Sequence, residues 1–422
     1  MSSPSGEKGE DMKRKRETEE NDLPKNKIIK ISDEEPNICG QASNPGGSKN
    51  HRSLSDQNQV PSNHSSGGQK RKLEEDEEEA NKKCKLDDNG AATPISTIAP
   101  LGLARFNFIK ELGRGGFGFV FLASAKDKNS NVAIKVLKKF NKEKIQLEKR
   151  VLQHVAGNPY ICRLFATFQT PSFAFLVMEL LPGGDLERLL EAEGPVDVKT
   201  TALCTAEIIC GLQHMHKLGV IHRDIKTKNI TIDHQGHIRI CDFGVAVENM
   251  FRGKTIFGGA GTAYYKSPEM ITGGPVGSSS DWWSFGVLLF RLLTNEYPFG
   301  TCRTMRQLKD VVVAGDPRFP DNFTTESKDI ITNLLSKQQL KRLGYCGDIR
   351  QHPFYAEIDW ERVEAKATDP PFLPWMDTSP PASLPSDLPF LQDQEGDRCH
   401  PEVQTIQDFS YEDPDWLLHQ ES

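Results

Sequence analysis

Two short segments, residues 222–229 and 242–244, constrain this chain more than any other part of its sequence. The first reads His-Arg-Asp-Ile-Lys-Thr-Lys-Asn, and the second, which follows one short hairpin later, reads Asp-Phe-Gly. Asp224 is placed to accept a proton from a hydroxyl group. Asn229 and Asp242 offer oxygen ligands that suit Mg2+, a cation normally shared with phosphates. The order and spacing of the two segments therefore indicate phosphoryl-transfer chemistry, and the rest of the chain must supply the other parts.

A glycine-rich loop lies upstream of these segments. Residues 108–112 read as a strand and run into 113–120, Gly-Arg-Gly-Gly-Phe-Gly-Phe-Val. Because glycine has no β-carbon, such a backbone can lie close over the phosphates of a nucleotide. The pattern also resembles a dinucleotide-binding fingerprint, but that motif requires a helix directly after the loop. Residues 119–123 continue as a strand, so the pattern favours a hairpin.

A lysine follows at the end of the next apolar strand, Val-Ala-Ile-Lys at residues 132–135. A lone lysine is usually a solvated surface charge, but in this context a phosphate contact is favoured for Lys135. The helical stretch 142–155 carries Glu148, which is the natural ion-pair partner that would hold this lysine against the phosphates.

Residues 106–354 resemble a eukaryotic protein kinase catalytic domain. Within that family the chain resembles the AGC group and is most similar to novel protein kinase C of the delta and theta kind, without its lipid-binding regulatory domains. The resemblance implies an α+β bilobal fold, with a small β-rich lobe, a larger α-helical lobe and ATP in the cleft. The motifs that carry it are residues 148–152, 177–186, 281–287, 341–344 and 350–354, together with 406–411, which resemble the hydrophobic motif that closes such kinases.

The resemblance also implies the residues that hold the nucleotide and its metal. Asn229 and Asp242 are expected to hold Mg2+. Cys241, directly before Asp242, is expected to face the ATP site as a small packing residue. The expected ATP contacts are Leu112, Gly113, Arg114, Gly115, Gly116, Phe117, Gly118, Phe119, Val120, Ala133, Lys135, Met178, Glu179 and Leu181.

The catalytic roles implied by the resemblance belong to four charged residues. Lys135, held by Glu148, orients the phosphates; Asp224 positions a Ser or Thr hydroxyl; and Lys226 offsets charge on the transferred group. Lys226 and Thr262 favour a serine/threonine kinase over a tyrosine kinase. Further along the chain, Glu269 is expected to pair with Arg342 in a buried, structural ion pair.

The activation loop departs from the family pattern. Gly258 stands where protein kinase C has its phosphorylated threonine, so Arg223, which normally docks on that phosphate, must pair elsewhere or stay unpaired. Thr255 is a candidate substitute phosphosite. Ser410 in the hydrophobic motif is a second candidate, and its modification would require an upstream kinase.

The residues expected to contact the protein substrate also depart from the family pattern. Lys228 occupies a position that is usually acidic in kinases directed to basic peptides, and Lys266 replaces a typically apolar residue. These cations predict a weakened or altered preference for Arg or Lys upstream of the target residue in protein substrates.

Composition predicts three regions: a disordered, charged region at 1–100, the catalytic domain at 106–354 and an AGC-type tail at 355–422. Residues 1–100 are rich in charged and small polar residues and cannot bury enough apolar surface to offset their ordering entropy. The net charge of −7 over 422 residues conceals basic clusters at 13–16, 70–72 and 82–85 and an acidic run at 74–79. The basic clusters resemble a bipartite import signal for an import receptor, and a solvated polyampholyte tail is the alternative.

Other classes of function are disfavoured. No segment is apolar for long enough to span a membrane, and the nine cysteines are scattered without zinc-type spacing, which fits a reducing, intracellular location, cytoplasmic or nuclear. Nucleic-acid binding is not expected, because acidic residues interleave the basic clusters and no aromatic residues accompany them. The alternative to a kinase is a catalytically weak pseudokinase that acts as a scaffold or allosteric partner.

Overall fold

The computed structural model describes residues 101–115, 118–373, 384, 388–393 and 405–416. The predicted disordered region, its basic clusters and the predicted ATP contacts Gly116 and Phe117 lie outside the described residues. Within the described part of the chain, no helix is long and apolar enough to cross a membrane.

The small lobe is an antiparallel sheet that is crossed by one helix. Its strands are rich in β-branched and aromatic residues, which favour pleated, half-buried positions. The helix is capped by Asn141, whose side chain accepts a hydrogen bond from the Lys144 N–H at 2.9 Å. These elements are β1 (Phe106–Gly115), β2 (Gly118–Ala125), β3 (Ser130–Lys138), α1 (Lys142–His154), β4 (Leu164–Gln169) and β5 (Phe173–Glu179).

The large lobe is mainly helical. Its apolar core surrounds α5, a helix whose side chains are almost all buried and which ends at Asn295 in a left-handed conformation. The helices are α2 (Leu186–Glu193), α3 (Val198–Lys217), α4 (Pro268–Thr272), α5 (Ser279–Thr294), α6 (Met305–Ala314), α7 (Thr325–Leu334) and α8 (Trp360–Glu364). The large lobe also has two antiparallel strand pairs: β6 (Ile230–Ile232) with β7 (Ile238–Ile240), and β8 (Ile256–Phe257) with β9 (Pro275–Val276).

The C-terminal tail returns to the small lobe, where α9 (Pro389–Gln392) and β10 (Tyr411–Glu412) lie. β10 pairs with β4, so the sheet has six strands in the order β1-β2-β3-β5-β4-β10. Trp416 is fully buried and stacks on Phe165 with ring centroids 5.4 Å apart, and Phe390 packs against Phe121 at 5.2 Å. Ile406 and Phe409 of the hydrophobic motif are also buried. The predicted β-rich small lobe and helical large lobe are confirmed, while the sixth strand was not predicted.

Candidate active site

Lys135 lies at the centre of a buried charge cluster between the two lobes. Its Nζ donates to Glu148 Oε1 on α1 at 2.6 Å and to Asp242 Oδ1 at 2.8 Å. Although burial opposes its charge, the carboxylates of Asp242 and Glu148 raise the pKa of Lys135 above its ordinary value. The lysine in turn lowers the pKa of Asp242 to about 2, so this carboxylate is ionised at neutral pH. The predicted ion pair between Lys135 and Glu148 is therefore formed.

Asp224 is held in place from several sides. Its Oδ1 accepts hydrogen bonds from the Thr262 N–H at 2.8 Å and from Thr262 Oγ1 at 2.7 Å. Its Oδ2 accepts one from Lys226 Nζ at 2.7 Å, and the same ammonium donates to Thr262 Oγ1 at 2.6 Å. The residue is 7% exposed. These contacts fix the carboxylate orientation and leave a cation beside it, which is the arrangement that a positioned proton acceptor requires.

The predicted metal ligand Asn229 lies beside this carboxylate, and the second predicted ligand, Asp242, contacts Lys135. The Nδ2 of Asn229 donates to the Asp224 carbonyl oxygen at 2.8 Å and to Asp224 Oδ2 at 3.2 Å. Because the amide nitrogen is used in this way, its oxygen is left for a cation. The Asp242 side chain remains 36% exposed and carries a negative charge. This carboxylate and amide oxygen fit Mg2+, which is usually bound through one or two protein ligands and substrate phosphates.

The catalytic loop is anchored from below by Asp281 at the start of α5. Its carboxylate, fully buried, accepts hydrogen bonds from the His222 N–H at 2.9 Å and from the Arg223 N–H at 2.8 Å. Although burial opposes ionisation, the His216 side chain and the bond from the His222 N–H lower the pKa of Asp281. The guanidinium of Arg223 donates to the Val245 carbonyl oxygen at 2.6 Å. Arg223 was predicted either to pair with another group or to stay unpaired, and the first alternative is observed.

The glycine-rich loop joins β1 to β2, in which Gly115 and Gly118 are paired. Gly118 has φ +150°, and a β-carbon there would lie 2.2 Å from the Val136 carbonyl oxygen, so only glycine fits. A β-carbon on Gly113 or Gly115 would meet nothing within 4 Å, which is consistent with open space at the predicted phosphate side. Val120 is opposite Lys135 in the sheet.

The remaining predicted nucleotide contacts lie on β1, β3 and β5 or just after β5. Ala133 on β3 is opposite Met178 on β5, so these two predicted contacts are neighbours. The Glu179 carboxylate forms an ion pair with Arg239 at 3.0 Å. Arg114 pairs with Glu111 at 3.2 Å rather than with a group in the cleft. Leu112 and Leu181 are half-buried.

The activation loop is ordered by main-chain contacts and by one ion pair. Ile221 and Val247 exchange two backbone hydrogen bonds of 3.0 Å, which join the loop to the catalytic segment. Arg150 on α1 contacts Glu248 at 2.7 Å. At Gly258, φ is +139°, and Thr255 is exposed. The loop thus contacts both α1 and the catalytic segment without a phosphate at position 258.

A polar cluster around Thr227 of the catalytic loop was not predicted from the sequence. Thr227 Oγ1 donates to Glu187 on α2 and lies 2.9 Å from the Tyr265 hydroxyl. Glu187 also contacts Arg291 on α5 at 3.3 Å. Lys228, which follows Thr227 in the chain, is exposed, and Lys266, which follows Tyr265, is half-buried. Only the threonine lies within a recognisable motif, and its partners come from distant parts of the chain, so no local signal could have identified the cluster.

The fold and the site together define a protein kinase catalytic domain. Residues 106–355 match the family described as protein kinase domain, and the chain belongs to this family. Members of the family use ATP and typically a divalent metal ion.

Similar proteins support the resemblance to protein kinase C that the motifs indicated. The chain is 41% identical over 278 residues to protein kinase C delta type of Rattus norvegicus, covering 64% of this chain and 41% of that protein. Protein kinase C delta type of Homo sapiens is 40% identical over 275 residues, which cover 64% of this chain and 40% of that protein. Serine/threonine-protein kinase YPK1 of Saccharomyces cerevisiae is 35% identical over 289 residues, which cover 66% of this chain and 42% of that protein. The chain thus spans less than half the length of these relatives.

Proposed function

We propose that this chain is a serine/threonine protein kinase that transfers the γ-phosphoryl group of ATP, bound with Mg2+, to Ser or Thr hydroxyls of protein substrates. The observation that carries the proposal is the position of Asp224, which Thr262 and Lys226 hold at 2.7 Å and which contacts the predicted metal ligand Asn229 at 3.2 Å. A substrate hydroxyl next to this carboxylate would also be next to the bound phosphates.

Each residue has a definite part in this mechanism. Lys135 binds and orients phosphate oxygens, and Glu148 keeps its ammonium in place. Asp224 accepts the hydrogen bond, and then the proton, of the incoming hydroxyl. Lys226 offsets negative charge on the transferred group. Mg2+, held by Asn229 and Asp242 when ATP is bound, would neutralise charge on the phosphate oxygens.

Serine and threonine are favoured as acceptors over tyrosine. Lys226 and Thr262 form a rigid network on one side of Asp224, with bonds of 2.6 to 2.8 Å. These are the two residues that indicated a serine/threonine kinase in the sequence. The complete set of charged groups around the cleft argues against the scaffold alternative, because each predicted catalytic residue has a partner that orients it.

The decisive experiment compares the purified full chain with two variants in the presence of labelled ATP, Mg2+ and a Ser/Thr peptide library. Asp224→Asn should abolish transfer and retain nucleotide binding. Asp310→Asn, at an exposed position on α6, is the matched control and should transfer like the wild type. Nucleotide binding without transfer in the wild type would favour the scaffold role instead.

We propose two regulatory phosphosites in the same chain, Thr255 and Ser410, with an upstream kinase as the partner for the latter. Ser410 is exposed and follows Phe409, whose ring lies 5.7 Å from Lys149 Nζ. The exposed Ser410 side chain is accessible to an upstream kinase. Because the loop at Gly258 has no hydroxyl, phosphorylation there cannot be the switch. Phosphopeptide mapping of the active protein, with Ser410→Ala as a comparison, tests both sites.

We also propose how the chain is organised into regions and where the protein is located. The charged region 1–100 would precede the catalytic domain 106–354, and 355–422 would form its AGC-type tail. The basic clusters would bind an import receptor and direct the protein to the nucleus. Replacing Lys70, Arg71 and Lys72 by alanine should shift a fluorescent fusion to the cytoplasm, and unchanged localisation would contradict this role.

A further inference from the structure

Two cysteine side chains meet at the base of the nucleotide cleft. Cys162 lies just before β4, and Cys241 ends the segment after β7, directly before Asp242. Ile161 and Ile240 form a parallel bridge, in which the Cys162 N–H donates to the Ile240 carbonyl oxygen at 3.0 Å. This pairing sets the next residues, the two cysteines, side by side.

The two cysteines follow the bridged isoleucines, and the proximity of Cys241, together with burial, raises the pKa of the Cys162 thiol. Cys162 is 5% exposed, whereas Cys241 is half-buried. A small oxidant would therefore reach Cys241 first and find a second thiol adjacent to it.

We propose that Cys162 and Cys241 form an oxidation-sensitive dithiol, which closes to a disulfide in the presence of hydrogen peroxide and lowers the affinity of the cleft for ATP. The Cys241 sulfur loses its proton and attacks the peroxide, the O–O bond breaks, and a sulfenic acid and one water form. The Cys162 sulfur then displaces the second water. The two thiols lose two electrons and two protons, and the peroxide is reduced to two waters.

The effect on ATP follows from what Asp242 must do. Its carboxylate is bound to Lys135 at 2.8 Å, and its backbone has φ +62°. To act as a metal ligand beside ATP, the side chain must share its contact with Lys135 or leave it. A disulfide at the preceding residue would tie that backbone to the start of β4 and hinder this adjustment. Loss of one such charged contact should weaken MgATP binding by about tenfold.

The experiment measures the cross-link and the affinity separately. The full chain is treated with hydrogen peroxide, free thiols are blocked, and non-reducing peptide mapping identifies disulfides. MgATP binding is measured calorimetrically before treatment, after treatment and after reduction by dithiothreitol. We expect a Cys162–Cys241 cross-link, about tenfold weaker binding, and recovery on reduction.

Matched variants make the result specific. Cys162→Ser, or Cys162→Ala if serine disturbs folding at this buried position, should lose the cross-link and keep its affinity after peroxide. Cys346→Ser, at an exposed cysteine in the large lobe, should behave like the wild type. The inference is overturned if peroxide oxidises other cysteines without joining this pair, or if the Cys162 variants lose affinity as the wild type does.

The loss of ATP affinity rests on the proposed function, while the cross-link does not. If the reduced protein binds no ATP, the proposed function fails. If it binds ATP but the cross-link does not form, the dithiol proposal fails.

Discussion

The buried ion pair between Glu269 and Arg342 should contribute strongly to the stability of the folded protein. Arg342 is fully buried, the Glu269 side chain is 4% exposed, and the two bonds between them are 2.7 and 3.1 Å long. Glu269→Gln keeps the shape of the side chain but leaves the guanidinium charge buried without a counter-ion. Breaking a buried pair in this way costs about 3–5 kcal/mol, and we expect the lower end because the amide still accepts a hydrogen bond.

The measurement is thermal unfolding of the full chain followed by circular dichroism. With a shift of about 2–4 °C per kcal/mol for a domain of this size, Glu269→Gln should lower Tm by about 6–12 °C. The matched control is Glu364→Gln. It breaks the ion pair between Glu364 and Arg350, in which the two side chains are 2.5 Å apart and the Glu364 side chain is 54% exposed. Exposed pairs contribute about 1 kcal/mol or less, so its Tm should fall by less than about 4 °C. Equal shifts in the two variants would refute the reasoning from burial.

Three further predictions concern specificity, pH and the tail. Lys228→Glu should strengthen the preference for arginine upstream of the target residue on a peptide array, because it exchanges a cation for an anion at an exposed position of the catalytic loop; an unchanged profile would contradict its role. Burial lowers the pKa of Lys337 to about 8, whereas the unfolded chain keeps about 10.4. Between these pH values the unfolded state binds more protons, so the wild type should gain stability relative to Lys337→Met as pH rises, measured by urea denaturation; an equal stability difference at every pH would argue against it. Trp416→Ala should destabilise the protein by about 3–5 kcal/mol, because the indole is fully buried, and Trp416→Phe, which retains the stack, should cost clearly less in the same assay.

The parts of the site that lie within continuous motifs could be predicted from the sequence. Phosphoryl transfer requires particular residue types at fixed spacing, and this is why Asp224 and Asn229 were identifiable within one loop. The contact of Asp224 with Thr262 was predictable only through the resemblance to a family, since 38 positions separate the two residues. The pairing of Glu269 with Arg342 was predicted in the same way and is confirmed.

The remaining features depend on contacts that no local pattern encodes. Arg291 meets Glu187 across 104 positions of the chain, and each residue alone looks like an ordinary helix surface charge. The contact between Cys162 and Cys241 arises from a parallel backbone bridge between separate segments, and a cysteine before Asp242 looks like simple packing in sequence. Trp416 likewise gave no signal, because the strand before it has only two residues.

The last strand of the small-lobe sheet has a consequence for biosynthesis. Thr167 on β4 is joined to Phe409, next to β10, over a separation of 242 positions, so the ribosome must add the whole large lobe before this edge can be covered. At about 5–20 residues per second, the delay is on the order of ten to fifty seconds. During that time β4 presents unpaired backbone groups to any neighbouring strand. Nascent chains, and truncated chains that end before the tail, should therefore be the forms of this protein most dependent on chaperones.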